Sequence, residues 1–329
     1  MQKRKLAIGV VVSLVCLGLA LFGIEWTRIG ETMERADWRY FLPAGAALLG
    51  YLLARSFRWR ILLGSSVGMD EAFFVTNIGY LISNVLPFRL GDPARAVALG
   101  LGGHVKTSTA LSTVVVERVL DMLTVVLLLA MTVPFVANAG WTRQAGLVGA
   151  GMGVGAMAIL LVLALRPHWA RGMLERVLGR LSWIDRARWL EVSDGLLEGV
   201  AALRSVDRLI GLFGWSAVTW ALTAGHYLAI MRAFIDQPSL VEASFLTCVT
   251  ALGVALPSSP GAVGVFHSVA RYALEIPFGV PAETAVVVAF ASHAFQYVTM
   301  CGLGLVGLVR QNLTLAQLRT QTAAVSSKE

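Results

Sequence analysis

The chain has 329 residues, 57% of them hydrophobic and 14% charged, with a mean hydropathy of +0.71 and a formal charge of +7. Apolar runs of the roughly 20 residues needed to cross a hydrocarbon core recur along it, which excludes an ordinary soluble domain. Cys16, Cys248 and Cys301 have neither metal-ligand nor disulfide spacing, so they read as packing residues, and the positive charge reads as attraction to anionic lipid with no nucleic-acid footprint.

Lys3, Arg4 and Lys5 precede the first apolar run, and no small-residue cleavage site follows it, so residues 6–24 are expected to remain as a span. Residues 41–63 form a second span, ending in Arg55, Arg58 and Arg60. Residues 70–86 are apolar, break at Pro87 to Gly91 and resume as a short helix in which Asp92 can cap and Pro93 can occupy the first turn. Spans at 108–135 and 144–165 follow, then a polar stretch, 166–208, with eight arginines and no domain-sized core. A span at about 209–232, a second broken segment and a span at 284–309 complete the series. Trp26, Trp38, Trp59 and Trp141 fall at span ends and read as interfacial anchors.

The two broken segments share a pattern. Glu71-Ala72-Phe73-Phe74-Val75-Thr76 leads to Leu86-Pro87-Phe88-Arg89-Leu90-Gly91, and Glu242-Ala243-Ser244-Phe245-Leu246-Thr247 leads to Leu256-Pro257-Ser258-Ser259-Pro260-Gly261. Asn84, Pro87 and Gly91 mark the first break; Pro257, Pro260 and Gly261 mark the second. Each is expected to be a hairpin that enters the bilayer and leaves on its own side, over about 70–103 and about 242–276. Irregular backbone at depth needs protein or a water-filled cavity around it, and paired breaks of this kind point to a transporter's binding site.

The expected fold is thus an all-α polytopic membrane protein of about six full spans plus two Pro/Gly-broken re-entrant hairpins arranged as an inverted repeat. Residues 1–143 form the first repeat and 144–329 the second, because three crossings per half invert the copies. Counting Lys and Arg beside the spans puts both termini and the basic loop 166–208 in the cytoplasm of a multi-pass cell-membrane protein, eighteen cations inside against five outside.

Ionisable residues inside spans cost about 2.5–3.5 kcal/mol each unless paired or hydrated, so three clusters are candidate sites. Arg89, Asp92 and Arg95 surround the first break; Glu117, Arg118 and Asp121 lie in the third span; His267, Arg271 and Glu275 recur at helical spacing after the second break. Arginine suits phosphate because its planar fork donates two hydrogen bonds and keeps its charge when desolvated. An internal salt-bridge network explains the second cluster equally well, and a solvated face explains the third. His226, and His293 with Gln296 and Tyr297, read as hydrogen-bonded structural groups. No metal cluster and no cofactor motif are present in the sequence.

Asn84-Val85-Leu86-Pro87-Phe88-Arg89-Leu90-Gly91-Asp92 with Arg95, Glu117-Arg118 with Asp121, and Leu256-Pro257 through Pro260-Gly261 and Gly264 together resemble the lysylphosphatidylglycerol synthase transmembrane-region family of flippase-like membrane proteins. The resemblance extends over nearly the whole chain. It implies the lipid-translocating half without the aminoacyl-transferase half that some members carry. The family commonly has Glu where Asp92 stands, and relatives often have Glu where His267 stands. The function expected is a lipid flippase-like transporter moving an anionic or zwitterionic phospholipid, aminoacylated ones included, or a polyprenyl-phosphate-linked lipid between leaflets. Two other readings stay open: an enzyme modifying a lipid headgroup, with Ser258, Ser259 and His267 as its only suggestion of a nucleophile and base, and an accessory subunit docking a synthase or glycosyltransferase.

Overall fold

The computed structural model describes residues 2–86, 90–136, 165–178, 201–255 and 259–326, with a few single positions between 151 and 197. Pro87, Phe88, Arg89, Trp141, Leu256, Pro257, Ser258, most of the 144–165 span, and residues 179–196 and 198–200 of the basic loop lie outside the described residues. All regular structure that is described is helical: α1 (Gln2–Leu21), α2 (Trp26–Glu34), α3 (Phe41–Leu63), α4 (Met69–Val85), α5 (Gly91–Gly102), α6 (Thr107–Thr132), α7 (Pro167–Leu178), α8 (Val206–Arg232), α9 (Leu240–Val254), α10 (Val265–Phe278), α11 (Ala282–Arg310) and α12 (Leu315–Ser326).

The two sequence patterns take the same local structure. Glu71 and Glu242 are each the third residue of their helix, in the first turn where the helix dipole favours a carboxylate. Thr76 and Thr247, five residues on, are both buried. After each break a shorter helix follows, and both shorter helices end on a left-handed glycine, Gly103 and Gly279.

Helix starts at the breaks differ from expectation. Leu90 occupies the N-cap of α5 without a side-chain hydrogen bond, and Asp92 bonds elsewhere. At the second break Ser259 and Pro260 open only a short 3-10 turn, Pro260–Ala262, and α10 begins after Gly264. Gly264 has φ +87°, and a Cβ there would land on the backbone of Ser13 and Leu17 in α1, so only glycine fits this approach.

α3 and α8 form the central helix pair. Around them α4 packs on α11 while α9 packs on α6; α5 packs on α6 while α10 packs on α11; and α1 lies on α10 while α12 lies on α5. One apolar core gathers around Trp59, Ile78, Leu99 and Leu120 of the first half, and another around Ile230, Leu246, Phe266 and Leu274 of the second. Small residues allow the closest approaches: Gly304 and Gly307 of α11 face the α4 backbone at Asn77 and Phe74, and Gly50 faces Leu222 across α3 and α8.

Among the described residues, α11 alone is long and apolar enough to cross a membrane as one helix; residues 9–21 with α2 qualify only as a pair bent by 76°. The charged side chains of α3 and α6 lower the apolarity of those two helices, whose bounds otherwise coincide closely with expected spans. Two sequence expectations are corrected here. Trp59 is no interfacial anchor: it is fully buried, its indole N–H donating to Thr113 Oγ1 at 3.0 Å. Arg55 and Arg58 are no flanking cations either, because both are buried and paired, and they drop out of the charge count that orients the chain.

Candidate functional site

Seven charged side chains from α3, α5 and α6 meet where the first half faces the second. Arg55 and Arg58 sit one turn apart on α3; Glu117 and Asp121, at i and i+4, share one face of α6. Glu117, fully buried, accepts from Arg55, from Arg58 at 3.3 Å and from Arg95 at 2.7 Å. Asp121 accepts from Arg58 at 2.7 Å, Arg55 at 3.3 Å and Arg118 at 3.5 Å. Asp92 takes a two-point bond from Arg118, 2.7 and 2.8 Å, and lies 3.5 Å from Arg95. Aromatic faces cover two of the guanidiniums: Trp59 lies 4.5 Å from Arg95 and Tyr80 lies 5.7 Å from Arg55. Desolvating so many charges is tolerable only because each carboxylate meets several guanidiniums at once.

This network forms one wall of a cavity of about 450 Å³ between the halves. Arg55, Asp92, Arg118 and Asp121 line it from the first half; Trp220, Thr247, Thr250, His293, Gln296 and Tyr297 line it from the second. Both breaks reach it, through Asn84 and Leu86 on one side and Ser259 and Gly261 on the other. They also touch: Tyr297 donates to the Asn84 carbonyl at 3.4 Å, and a Cβ on Gly261 would lie 3.4 Å from that same oxygen.

The residues singled out from sequence have different places. Asp92, Arg118 and Asp121 are on the cavity wall, while Glu117 and Arg95 lie behind it. Arg118 has the most freedom, its side chain 42% exposed. Gly91 packs against the Gly79 carbonyl and Ser83, where any Cβ would collide.

His267 stacks on Phe290 and lies off the wall. Its Nδ1 accepts from the Gly264 amide at 3.2 Å, so its Nε2 carries the proton and donates to His293 Nδ1 at 3.1 Å. The pair thereby braces the second break.

Arg271 turns away from the cavity. Its Nη1 donates to the carbonyls of Leu19, Ala20 and Phe22 at 3.1, 3.0 and 2.8 Å, and its Nε to Glu275 at 2.8 Å. It therefore satisfies the open C-terminal carbonyls of α1. His267 is buried against α11 and Arg271 against α1, so these two do not form a solvated face. Arg89, Pro87 and Pro257 are outside the described residues.

Sequence reasoning passed over Arg55, Arg58, Tyr51, Tyr80, Trp220, Thr247 and Thr250. For the two arginines a signal existed: they are at i, i+3 and continue the buried face of Leu48 and Leu52. The threonines carry none, since each bonds back to a carbonyl four residues earlier, as threonine in any apolar helix does. Among the described residues, no group of three or more His, Cys, Asp or Glu is placed to hold a metal ion.

Comparison with known proteins agrees with a membrane assignment. The chain is 25% identical over 360 residues to "Glycosyltransferase AglD" of Haloferax volcanii, covering 98% of this chain and 57% of that protein. It is 24% identical over 290 residues to "UPF0104 membrane protein" of Methanothermobacter thermautotrophicus, covering 82% of this chain and 84% of that one. The chain thus spans little more than half the length of the glycosyltransferase relative. No solved structure matches it. The profile of the Lysylphosphatidylglycerol synthase TM region matches residues 6–304, and the chain belongs to that family of membrane proteins.

Proposed function

We propose that the protein is a lipid flippase-like transporter that carries a phosphate-bearing headgroup between leaflets through the cavity while the acyl or prenyl tails stay in lipid. One observation carries this reading: a cavity with a charged wall on one side and an uncharged wall on the other, bounded by the helix breaks of both halves. Binding sites at paired breaks are the common design of transporters built from repeats. A repeat is supported by the packing, because exchanging α3, α4, α5 and α6 with α8, α9, α10 and α11 interchanges most of the contacts among these helices, the α6–α8 contact being the exception. Alternating access then follows from one half rocking against the other about the α3–α8 pair, with both termini in the cytoplasm.

Arg118 is the residue placed to meet the headgroup first, since it is on the wall and its side chain is only partly covered. In vesicles reconstituted with purified protein, tail-labelled phospholipid should exchange between leaflets, as read by an impermeant quencher. Arg118→Gln should slow that exchange by about tenfold or more, the loss of one charge-assisted hydrogen bond being about 1.5–3 kcal/mol. Undiminished exchange in a folded Arg118→Gln protein rejects the assignment.

A second reading has its own observation: a relative named as a glycosyltransferase is matched along nearly this whole chain. Here the membrane region would present a lipid-linked sugar to a transferase partner without moving it across. Exchange in pure vesicles separates the two, because presentation alone leaves lipid sidedness unchanged.

A further inference from the structure

We infer that the cavity selects a headgroup with one phosphate and an otherwise uncharged, hydroxyl-rich remainder, and that it disfavours a cationic headgroup. This deepens the transport reading and rests on it.

The network that forms and backs the first wall carries one surplus positive charge, while the charged residues lining the cavity itself, Arg55, Arg118, Asp92 and Asp121, balance. Four guanidiniums, Arg55, Arg58, Arg95 and Arg118, face three carboxylates, Asp92, Glu117 and Asp121. Each carboxylate is already engaged by two or three of those guanidiniums, so none is free to receive an ammonium group. Two N–H donors of lining residues, in contrast, are left unsatisfied. Arg55 Nε and Trp220 Nε1 are buried without a hydrogen-bond partner, and both residues line the cavity. A phosphate, which presents only acceptor oxygens and a negative charge, complements two such N–H groups beside a net positive cluster.

The opposite wall has another chemistry. Thr223, Thr247 and Thr250 spend their hydroxyl protons on the carbonyls of Thr219, Ala243 and Leu246, which leaves oxygen lone pairs as acceptors, one of them on Thr250 facing the Tyr227 hydroxyl at 3.4 Å. Gln296 adds a neutral amide, and no carboxylate from the second half lines the cavity among the described residues. Such a surface receives hydroxyl donors without neutralising a cation. The volume, about 450 Å³, lies within the roughly 300–1,000 Å³ usual for small-molecule sites, so it suits a headgroup and excludes two lipid tails.

The test uses the full chain in phosphatidylcholine vesicles doped with tail-labelled phosphatidylinositol or tail-labelled lysyl-phosphatidylglycerol. Calorimetry on the detergent-solubilised protein adds two soluble probes, glycerophosphoinositol and inorganic phosphate. Phosphatidylinositol should exchange at least about tenfold faster than the cationic lipid, and Trp220→Phe, which keeps the ring and removes the donor, should reduce that preference by about tenfold. Glycerophosphoinositol should bind more tightly than inorganic phosphate. Equal or faster exchange of the cationic lipid overturns the selectivity and leaves transport standing. Equal binding of inorganic phosphate and glycerophosphoinositol overturns the hydroxyl-rich half of the claim. Binding of glycerophosphoinositol without exchange of any lipid overturns transport and keeps the ligand class; neither binding nor exchange overturns both. An unchanged preference in Trp220→Phe overturns the role of the indole donor.

Discussion

Asp92 and Arg118 hold one another by two parallel hydrogen bonds, Nη2 to Oδ1 at 2.7 Å and Nε to Oδ2 at 2.8 Å, across the seam between α5 and α6. That pairing fixes the plane of the guanidinium at the cavity wall. Asp92→Asn should therefore disorient Arg118 and slow lipid exchange by about tenfold, whereas Asp92→Glu should restore most of the rate. Thermal stability should barely move. The side chains are 32% and 42% exposed, and pairs that open contribute about 0–1 kcal/mol. A large drop in melting temperature for Asp92→Asn, with exchange per folded molecule intact, would show the pair to be a structural clasp only.

Glu117 has the opposite profile. It is fully buried and takes three guanidiniums, so Glu117→Gln leaves an uncompensated positive charge in a low-dielectric interior. Breaking a buried pair in this way costs about 3–5 kcal/mol. The variant should lose its monodisperse peak on detergent chromatography at temperatures the parent protein withstands. Retention of the parent's thermal profile would mean that the network does not hold the α3–α6 packing.

Gly304→Val should push α11 off α4. A Cβ there lies 2.5 Å from Leu81 Cβ and 2.7 Å from the Asn77 carbonyl, and neither has a flexible end that could move aside. Overpacking of this kind costs about 1–3 kcal/mol, and Gly307→Val should behave likewise. Gly18→Val is the control, since nothing lies within 4 Å of a Cβ at that position. Equal melting temperatures for the three variants would refute the close contact.

Arg271→Gln should loosen α1 without touching the cavity. The Ala20 and Phe22 carbonyls at the α1 C-terminus lose their Arg271 donor, while the Leu19 carbonyl keeps the Tyr272 hydroxyl at 3.0 Å, and hydrogen bonds to charged groups contribute about 1.5–3 kcal/mol each when buried. Amide hydrogen exchange over residues 13–22 should accelerate, with residues 110–121 unaffected. Uniform exchange across both segments would place Arg271 in the general core and not at a helix terminus.

Much of the architecture was legible because a bilayer makes charge and chain breaks conspicuous. Asp92, Arg95, Glu117, Arg118 and Asp121 stand out against apolar neighbours, and they do meet. The shared Glu71 and Glu242 patterns mark equivalent positions in two helices. Arg55 and Arg58 escaped notice because a cation near the end of an apolar run looks like a flanking charge, and only the partner helix shows otherwise. The fate of Arg271 was hidden for another reason: its partners are backbone carbonyls, which no side-chain pattern encodes. The second wall of the cavity was the least visible part, since threonines that bond back to their own helix look alike whether they face lipid or ligand.

The clip between Arg271 and α1 joins residues 251 positions apart, and it constrains how the molecule is made. α1 is synthesised well before α10, so its terminal carbonyls lack the Arg271 donor, and Ser13 Oγ lacks the Ser259 amide from which it accepts at 2.9 Å, until residues 259–271 have followed. Until then that helix rests against lipid or an insertion factor, and its docking on α10 is a non-local step that follows the synthesis of both segments.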